Sequence, residues 1–338
     1  MTELQTDVEH LLDHADWMNT EGQPIEAITV LGEVLDRLAS DPPSELQARA
    51  LRGVGLAFRT LGDVSESALA FEEALDVARA CGNALEQAEA LNGLAIARQL
   101  EGELALAETH YTAAAGLALD EGLFQLTGII EQNLGVIASD LGQTEKARVR
   151  YETALGAFEE AGDLTGVCWT LNNLGLLYAQ SSQLIQALDF FDQARAVADQ
   201  GGDRELSVRV EINRADALLQ VEEWERARAT LETAISVART TTSPLLVAEG
   251  LRYLAKAERQ AGRPWNALGQ IRQAAETAHA APDLLLLAEV KREAGLCWLA
   301  LGDETRAKEA WTDAQNRFEE VGALRDRAEL AAMLEEIG

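Results

Sequence analysis

The chain has 338 residues, with 57 Asp and Glu against 28 Lys and Arg, and a formal net charge of −29. Because nucleic acids are polyanions that favour clustered Lys and Arg, this charge argues against direct binding of DNA or RNA. The first residues lack the apolar core of a signal peptide and no apolar run approaches the roughly 20 residues of a membrane span, so we expect a cytoplasmic protein that does not enter membranes.

Small residues recur along the chain with a period of 40. In one copy, Leu171, Leu174, Gly175 and Tyr178 stand at i, i+3, i+4 and i+7, a spacing that puts them on one face of an α-helix. Steps of 40 residues through Gly175 reach eight small residues: Ala15, Gly55, Ala95, Gly135, Gly175, Ala215, Ala255 and Gly295. A second series follows on the next predicted helix: Ala27, Ser67, Ala107, Ala147, Ala187, Ala227, Ala267 and Ala307. Glycine inside a helix costs about 1 kcal/mol relative to Ala, so its recurrence indicates that another helix comes close.

Turns and large apolar residues recur in the same register. A turn position separates the two small series and is occupied by Gly22, Gly62, Gly102, Gly142, Ser182, Glu222, Gly262 and Gly302. A large apolar residue follows each turn: Leu31, Phe71, Tyr111, Tyr151, Phe191, Leu231, Ile271 and Trp311. The pattern predicts eight helix pairs that begin near residues 5, 45, 85, 125, 165, 205, 245 and 285, and a final helix over 323–336 that caps the last pair.

The sixth copy departs most from the pattern. Glu211 and Arg214 stand where other copies mostly carry Leu, and Glu222 replaces the turn glycine. Two interpretations stay open: a tolerated degenerate copy, or a joint where the array bends or a partner docks.

The order of large apolar residue, Leu-Gly, Tyr, turn glycine, Ala, aromatic and Ala resembles the tetratricopeptide repeat family in its 40-residue form. Residues 170–178 are similar to the repeats of kinesin light chains, and similar long repeats occur in the regulatory arms of bacterial transcription activators and in peptide-sensing receptors of the quorum-sensing kind. The resemblance implies an all-α fold, a right-handed superhelical α-solenoid of helix–turn–helix repeats with a C-terminal capping helix, in which residues 1–338 form a single repeat domain. The shared role that it implies is to present a binding surface.

Residues suited to catalysis or metal binding do not form a convincing set. His10 and His14 have the i, i+4 spacing of two metal ligands, but no third ligand stands at a suitable spacing. No Ser-His-Asp order, nucleophile elbow or phosphate loop is present, and the three cysteines form no C-x-x-C motif. We therefore expect a protein without enzymatic activity, metal or cofactor.

In the resembling family, residues of each first helix that point away from its partner helix line a concave groove. By register, an N-terminal basic set lines one end: Arg49, Arg52 and Arg59. A C-terminal basic set lines the other: Arg252, Lys256, Arg259 and Arg292. Glu89 also falls on the lining, and the part between the two sets is mainly amide and apolar: Asn92, Ile96, Ile129, Gln132, Val136, Trp169, Asn172 and Leu176.

Three asparagines share one position in successive repeats, namely Asn133, Asn173 and Asn213. Asparagines on these helices bind the backbone of an extended peptide in several proteins of the resembling family. The alternative is that they cross-link neighbouring helices, and the sequence leaves both interpretations open.

The first functional hypothesis is a scaffold or adaptor that holds a protein segment, extended or helical, apolar in its middle and acidic toward its ends. The second is a regulatory sensor that closes on a signalling peptide or small molecule and controls a separate effector. A third is weak self-association through exposed end helices.

Overall fold

A computed structural model of the protein describes residues 3–241, 243–280 and 283–336. Within these ranges the chain forms seventeen α-helices and no β-strand. The all-α repeat fold is therefore confirmed. No helix within the described ranges is both long and apolar enough to cross a membrane.

The helices alternate between two positions in each repeat. The first helices are α1 (Glu3–Thr20), α3 (Glu45–Leu61), α5 (Ala84–Leu100), α7 (Phe124–Asp140), α9 (Leu164–Gln180), α11 (Arg204–Gln220), α13 (Pro244–Gln260) and α15 (Leu284–Ala300). The second helices are α2 (Pro24–Leu38), α4 (Val64–Cys81), α6 (Leu104–Asp120), α8 (Thr144–Ala161), α10 (Leu184–Gly201), α12 (Trp224–Ala238), α14 (Pro264–Ala280) and α16 (Glu304–Glu320). The chain closes with α17 (Leu324–Glu336).

The small residues of the first helices make room for the large residues of the second. A Cβ added to Gly135 would lie 2.5 Å from the Tyr151 ring, and one added to Gly295 would lie 2.2 Å from the Trp311 indole. Both aromatic rings are buried, with 3% and 1% exposed. Such distances are far below van der Waals contact, so only glycine permits this approach. In these repeats the glycine of the first helix therefore packs directly against the aromatic residue of the second helix.

The turn position between first and second helices requires a left-handed backbone. Gly62 has a φ of +80°, and the N–H of Asp63 donates to the Phe58 carbonyl at 3.0 Å, which satisfies a carbonyl at the end of α3. Ser182 and Glu222 take the same conformation without being glycine, with φ of +58° and +61°. Repeats five and six therefore keep the geometry of the turn although the residue changes.

The chain divides into two compact units, Met1–Gly166 and Val167–Gly338. In the first unit, consecutive helices pack together, and α3 also lies against both α1 and α5. In the second unit, α13 lies against both α11 and α15, and α17 packs on α16. Leu330 of α17 is fully buried among Trp311, Phe318 and Ala288, so this helix covers the apolar side of the last pair.

Candidate partner-binding surface

We call the surface formed by the first helices the first-helix face and describe it separately in each unit. In the first unit, two members of the N-terminal basic set bind carboxylates of neighbouring first helices. Arg49 lies 2.7 Å from Asp13 and also pairs with Asp16, both on α1. The Arg52 Nε donates to Glu86 of α5 at 2.9 Å, and that carboxylate is only 4% exposed. These two arginines therefore join α1, α3 and α5 to one another.

Arg59, the third member of this set, has a different environment. Among the described residues no carboxylate lies within ion-pair distance of its guanidinium, and burial lowers its pKa. The nearby Tyr111 hydroxyl donates to Gln99 at 3.0 Å. Arg59 is thus the member of the N-terminal basic set whose charge is not neutralised by an acid in the described structure.

The C-terminal basic set is paired throughout. Arg252 is 9% exposed, its guanidinium lies 4.1 Å from the centre of the Tyr253 ring, and it approaches Glu289 at 3.0 Å. The other three members each pair with a carboxylate on another first helix or on α17, in the pairs Lys256–Asp216, Arg259–Glu293 and Arg292–Asp326. The structure therefore places these four cations between helices of the second unit, where each already has an anionic partner.

The amide residues divide into bonded and unbonded groups. Asn213 donates its side-chain N–H to Oδ1 of Asn172 at 2.8 Å, and Asn172 is 2% exposed. Asn213 of α11 is therefore hydrogen-bonded to the neighbouring first helix α9, which is the cross-linking interpretation. Asn133 and Asn173 are half-buried, and neither has a hydrogen-bond partner for its side chain within the described residues. Gln132 is half-buried on α7.

Trp169 and Leu176 lie half-buried on α9 in the second unit. The Arg209 guanidinium of α11 lies 5.7 Å from the centre of the Trp169 ring, within the range of a cation–π contact. Arg209 also approaches Glu249 at 3.9 Å, and burial raises the pKa of that carboxyl. The indole is therefore flanked by a cation on the side of α11.

A cavity of about 330 Å³ opens on the first-helix face of the first unit, between α5 and α7. Three of its apolar side chains are exposed: Leu85 at 41%, Phe124 at 39% and Ile129 at 41%. Large apolar side chains at this exposure, gathered around one concavity, are typical of a binding site. We call this cavity the α5–α7 pocket.

Two acceptor groups line the α5–α7 pocket beside these apolar side chains. The Asn92 Oδ1 atom is buried and has no hydrogen-bond partner among the residues that the structure describes. Burial raises the pKa of the Glu89 carboxyl, an effect opposed by the Arg52 guanidinium, and no described residue pairs with Glu89. A buried acceptor without a donor costs about 1–3 kcal/mol, so a ligand that brings N–H groups to this pocket would relieve that cost.

Register placed Glu89, Asn92 and Ile129 on this face, but Leu85 and Phe124 were missed. They stand at the beginning of first helices, where helix-capping residues are expected. The sequence does carry a signal: the residue before α7 is Leu123, whereas Asn83 and Asp203 cap α5 and α11 with their side chains. An apolar residue in place of a capping residue lowers helix stability by about 1 kcal/mol. At this position Leu123 instead contributes an apolar side chain to the lining of the α5–α7 pocket.

Within the described residues, no group of His, Cys, Asp and Glu side chains could hold a metal ion. His14 stacks on Trp17 with ring centres 5.7 Å apart. The described side chains of the first-helix face offer apolar contact, hydrogen bonding and ion pairing.

The tetratricopeptide repeat family model matches residues 126–200 and 166–240. Similar solved structures include the apo form of RapI, at 15% identity with a TM-score of 0.74, covering 98% of this chain and 97% of that one. A tetratricopeptide repeat protein from Parabacteroides merdae is 22% identical with a TM-score of 0.59, covering 84% and 98%. The Rap conjugation gene regulator of the plasmid pLS20, in complex with the Phr* peptide, is 14% identical with a TM-score of 0.58, covering 94% and 96%. At such identities the likeness concerns the fold, and no curated protein sequence matches the chain significantly.

Proposed function

We propose that this chain, whose residues 126–240 match the tetratricopeptide repeat family model, is a non-catalytic scaffold that holds a peptide segment of a partner protein on its first-helix face. The observation that carries this proposal is the α5–α7 pocket, where exposed apolar side chains surround two acceptors without donors. In the free protein these apolar side chains stay partly in contact with water, and the Asn92 Oδ1 atom lacks a donor among the described residues. Both are what a bound peptide would use.

The pocket specifies the chemistry of the segment. Leu85, Phe124 and Ile129 favour a large apolar side chain, because its transfer from water contributes about 1.5–3 kcal/mol. Asn92 Oδ1 and the Glu89 carboxyl accept hydrogen bonds. The backbone N–H groups on either side of that apolar residue would supply the donors. An extended segment, whose N–H groups are not used in a helix, suits this arrangement.

The basic residues limit where the acidic ends of such a segment bind. A ligand carboxylate at Arg49 or Arg52 would have to displace Asp16 or Glu86. Arg59 has no such competitor among the described residues. We therefore place an acidic end of the ligand at Arg59 and the apolar residue in the α5–α7 pocket.

A second candidate is a sensor that closes on a signalling peptide and controls a separate effector. The likeness to the pLS20 Rap regulator, whose structure contains the Phr* peptide, favours this reading. The two candidates share the binding step and differ in whether the peptide is the regulated partner or the signal.

Selection from a displayed library of random linear peptides tests the binding step. Peptides enriched on the wild-type protein are expected to contain a large apolar residue with an acidic residue on one side. Phe124→Ala should weaken their binding by at least about tenfold, as expected for an aromatic anchor. Leu69→Ala, which removes an exposed apolar side chain from the second helix α4, is the matched control and should leave affinity unchanged. Equal affinity in both variants would contradict the proposal.

A further inference from the structure

A larger cavity, of about 670 Å³, lies between α14, α15 and α16 in the second unit. Val290, Ala294 and Trp298 of α15 form its floor at i, i+4 and i+8. Trp265 of α14, which is 66% exposed, stands at one edge and meets Trp298 edge to face with ring centres 6.0 Å apart. None of these residues belongs to the sets predicted for the first-helix face. We call this cavity the α14–α16 groove.

The groove exists because side chains found in other repeats are missing at three positions. Ala294 stands where four repeats carry Leu: Leu94, Leu134, Leu174 and Leu254. Gly269 on the wall from α14 stands where the first four repeats carry Thr29, Leu69, Thr109 and Val149. Ala310 on the opposite wall replaces the aromatic ring of Phe190, which stacks on Tyr178 at 5.2 Å in repeat five. Trp298 stands at the repeat position of Tyr178. Because Ala310 offers it no aromatic partner, the Trp298 ring lines the groove.

The charge of the groove is opposite to that of the protein. Arg272, Lys291 and Arg306 line it with Glu309 as the one acid among the described lining residues, although the whole chain carries a net charge of −29. Arg272 stands where other second helices carry an acid, at Glu72, Glu152, Asp192 and Glu232. Lys291 stands where other first helices carry Leu or Glu. The residues that differ from the repeat pattern in size and those that differ in charge therefore line the same groove.

Each cation of the groove lining also has an acid within ion-pair distance, outside the lining. Lys291 binds Asp313 at 2.8 Å, and Arg306 approaches Asp303 at 3.5 Å while its guanidinium lies 4.6 Å from the centre of the Trp298 ring. Arg272 is 78% exposed, and its ion pair with Glu276 is long, at 3.9 Å. An anionic ligand would meet these three cations beside two indoles and would share them with acids that lie outside the groove lining; the pairs of Arg306 and Arg272 are the longer ones.

We propose that the α14–α16 groove binds an acidic amphipathic helix of a partner protein. The floor from Val290 to Trp298 spans eight residues of α15, or about 12 Å, which matches roughly two turns of a bound helix. One large apolar side chain of that helix fills the space over Ala294, beside the two indoles, which contact each other. Carboxylates on its flanks meet Arg272, Lys291 and Arg306. This site is separate from the α5–α7 pocket and does not depend on the function proposed for that pocket.

A displayed library of helical peptides with randomised surface positions tests the proposal. Selection on the Phe124→Ala variant keeps binders of the α5–α7 pocket out of the result. Enriched helices are expected to be acidic and to carry a large apolar residue. Trp265→Ala and Arg272→Glu should each weaken their binding by at least about tenfold. Arg325→Glu, at a 91% exposed arginine of α17, is the matched charge control and should have no effect.

Three outcomes would overturn this inference. Enriched helices could be neutral or basic, none could be enriched, or their affinity could be the same in the Trp265→Ala variant. Light scattering after size exclusion addresses a second copy as the occupant. A dimer that Trp265→Ala converts to a monomer would assign the groove to self-association and contradict the proposed partner. Trp265 and Arg272 are exposed, so these variants are expected to fold, which circular dichroism checks.

Discussion

Asn213 of α11 donates a hydrogen bond to Oδ1 of Asn172 on α9 at 2.8 Å, and Asn172 is almost completely buried. A side chain that belongs to a predicted ligand-binding set thus serves here to connect two first helices. The same holds for Arg52, Arg252 and Arg259, which bind carboxylates on neighbouring first helices. The first-helix face is therefore in large part a network that fixes the spacing of the repeats.

Asn172→Ala is expected to lower the free energy of unfolding by about 1–3 kcal/mol, because the Asn213 amide loses its partner. Asn173→Ala, one residue further along α9, removes a half-buried side chain with no described partner and should cost less than about 0.5 kcal/mol. Urea denaturation followed by circular dichroism measures both. Equal losses would show that the Asn213–Asn172 bond contributes nothing to stability.

Gly135→Ala is expected to destabilise the protein by about 1–3 kcal/mol through overpacking, since the new methyl group would lie 2.5 Å from the Tyr151 ring. Gly156→Ala in α8 meets no atom within 4 Å, and there the better helix propensity of Ala should add about 0.5–1 kcal/mol. Thermal melts of the two variants should therefore move in opposite directions. A stabilising Gly135→Ala would show that the close approach of α7 and α8 is not needed.

Arg252→Glu is expected to destabilise the free protein by at least about 3 kcal/mol, the cost typical of breaking a buried ion pair. The substitution places a third carboxylate beside Glu289 and Glu249, next to the Tyr253 ring. Arg325→Glu, at a 91% exposed position, should change the free energy of unfolding by less than about 0.5 kcal/mol. If the two variants melted alike, Arg252 would have to be a surface residue.

The repeat pattern predicts the helices, the turns and the contacts between small and large residues, because each of these is set within one 40-residue copy. It does not reveal the ion pairs. Arg52–Glu86, Arg259–Glu293 and Arg292–Asp326 each join residues 34 apart in sequence. That separation reflects the way one first helix lies against the next. A search for opposite charges at this spacing would have found these three pairs, whereas Lys256–Asp216 lies at the repeat period itself.

The pocket between α5 and α7 was only partly predictable for a related reason. Asn92 and Ile129 follow from the register of the first helices, whereas Phe124 contributes from the first residue of α7. The α14–α16 groove was not predicted, since it arises from side chains that the seventh and eighth repeats lack. Both sites are formed by residues that differ from the repeat pattern. A search for the residues that the repeats share does not find such differences.

Glu89→Gln is expected to stabilise the free protein near neutral pH. Burial raises the pKa of Glu89 in the folded state, so at pH values above that raised pKa the buried charge lowers stability by its full amount. As the pH falls from the raised value to the ordinary value for glutamate, the penalty decreases, and below the ordinary value it disappears. The difference in denaturation midpoint between variant and wild type should therefore be positive at pH 7 and absent at about pH 4.

Glu160→Gln provides the control for this pH dependence, because Glu160 is an exposed residue of α8. Its difference from the wild type should be the same at both pH values. A Glu89→Gln variant that is less stable than the wild type at pH 7 would mean that the free protein provides Glu89 with a partner. The α5–α7 pocket would then lack one of its two unpaired acceptors.

Hydrogen–deuterium exchange with and without a library-selected linear peptide tests the central claim most directly, since it locates the bound segment on the full chain. The account predicts slower exchange in α5 and at the beginning of α7, from Leu123 to Gln132, with no change in the second helix α4. The same peptide should give no protection in the Phe124→Ala variant. Protection confined to second helices, or protection that persists in that variant, would contradict the assignment of the first-helix face as the binding surface.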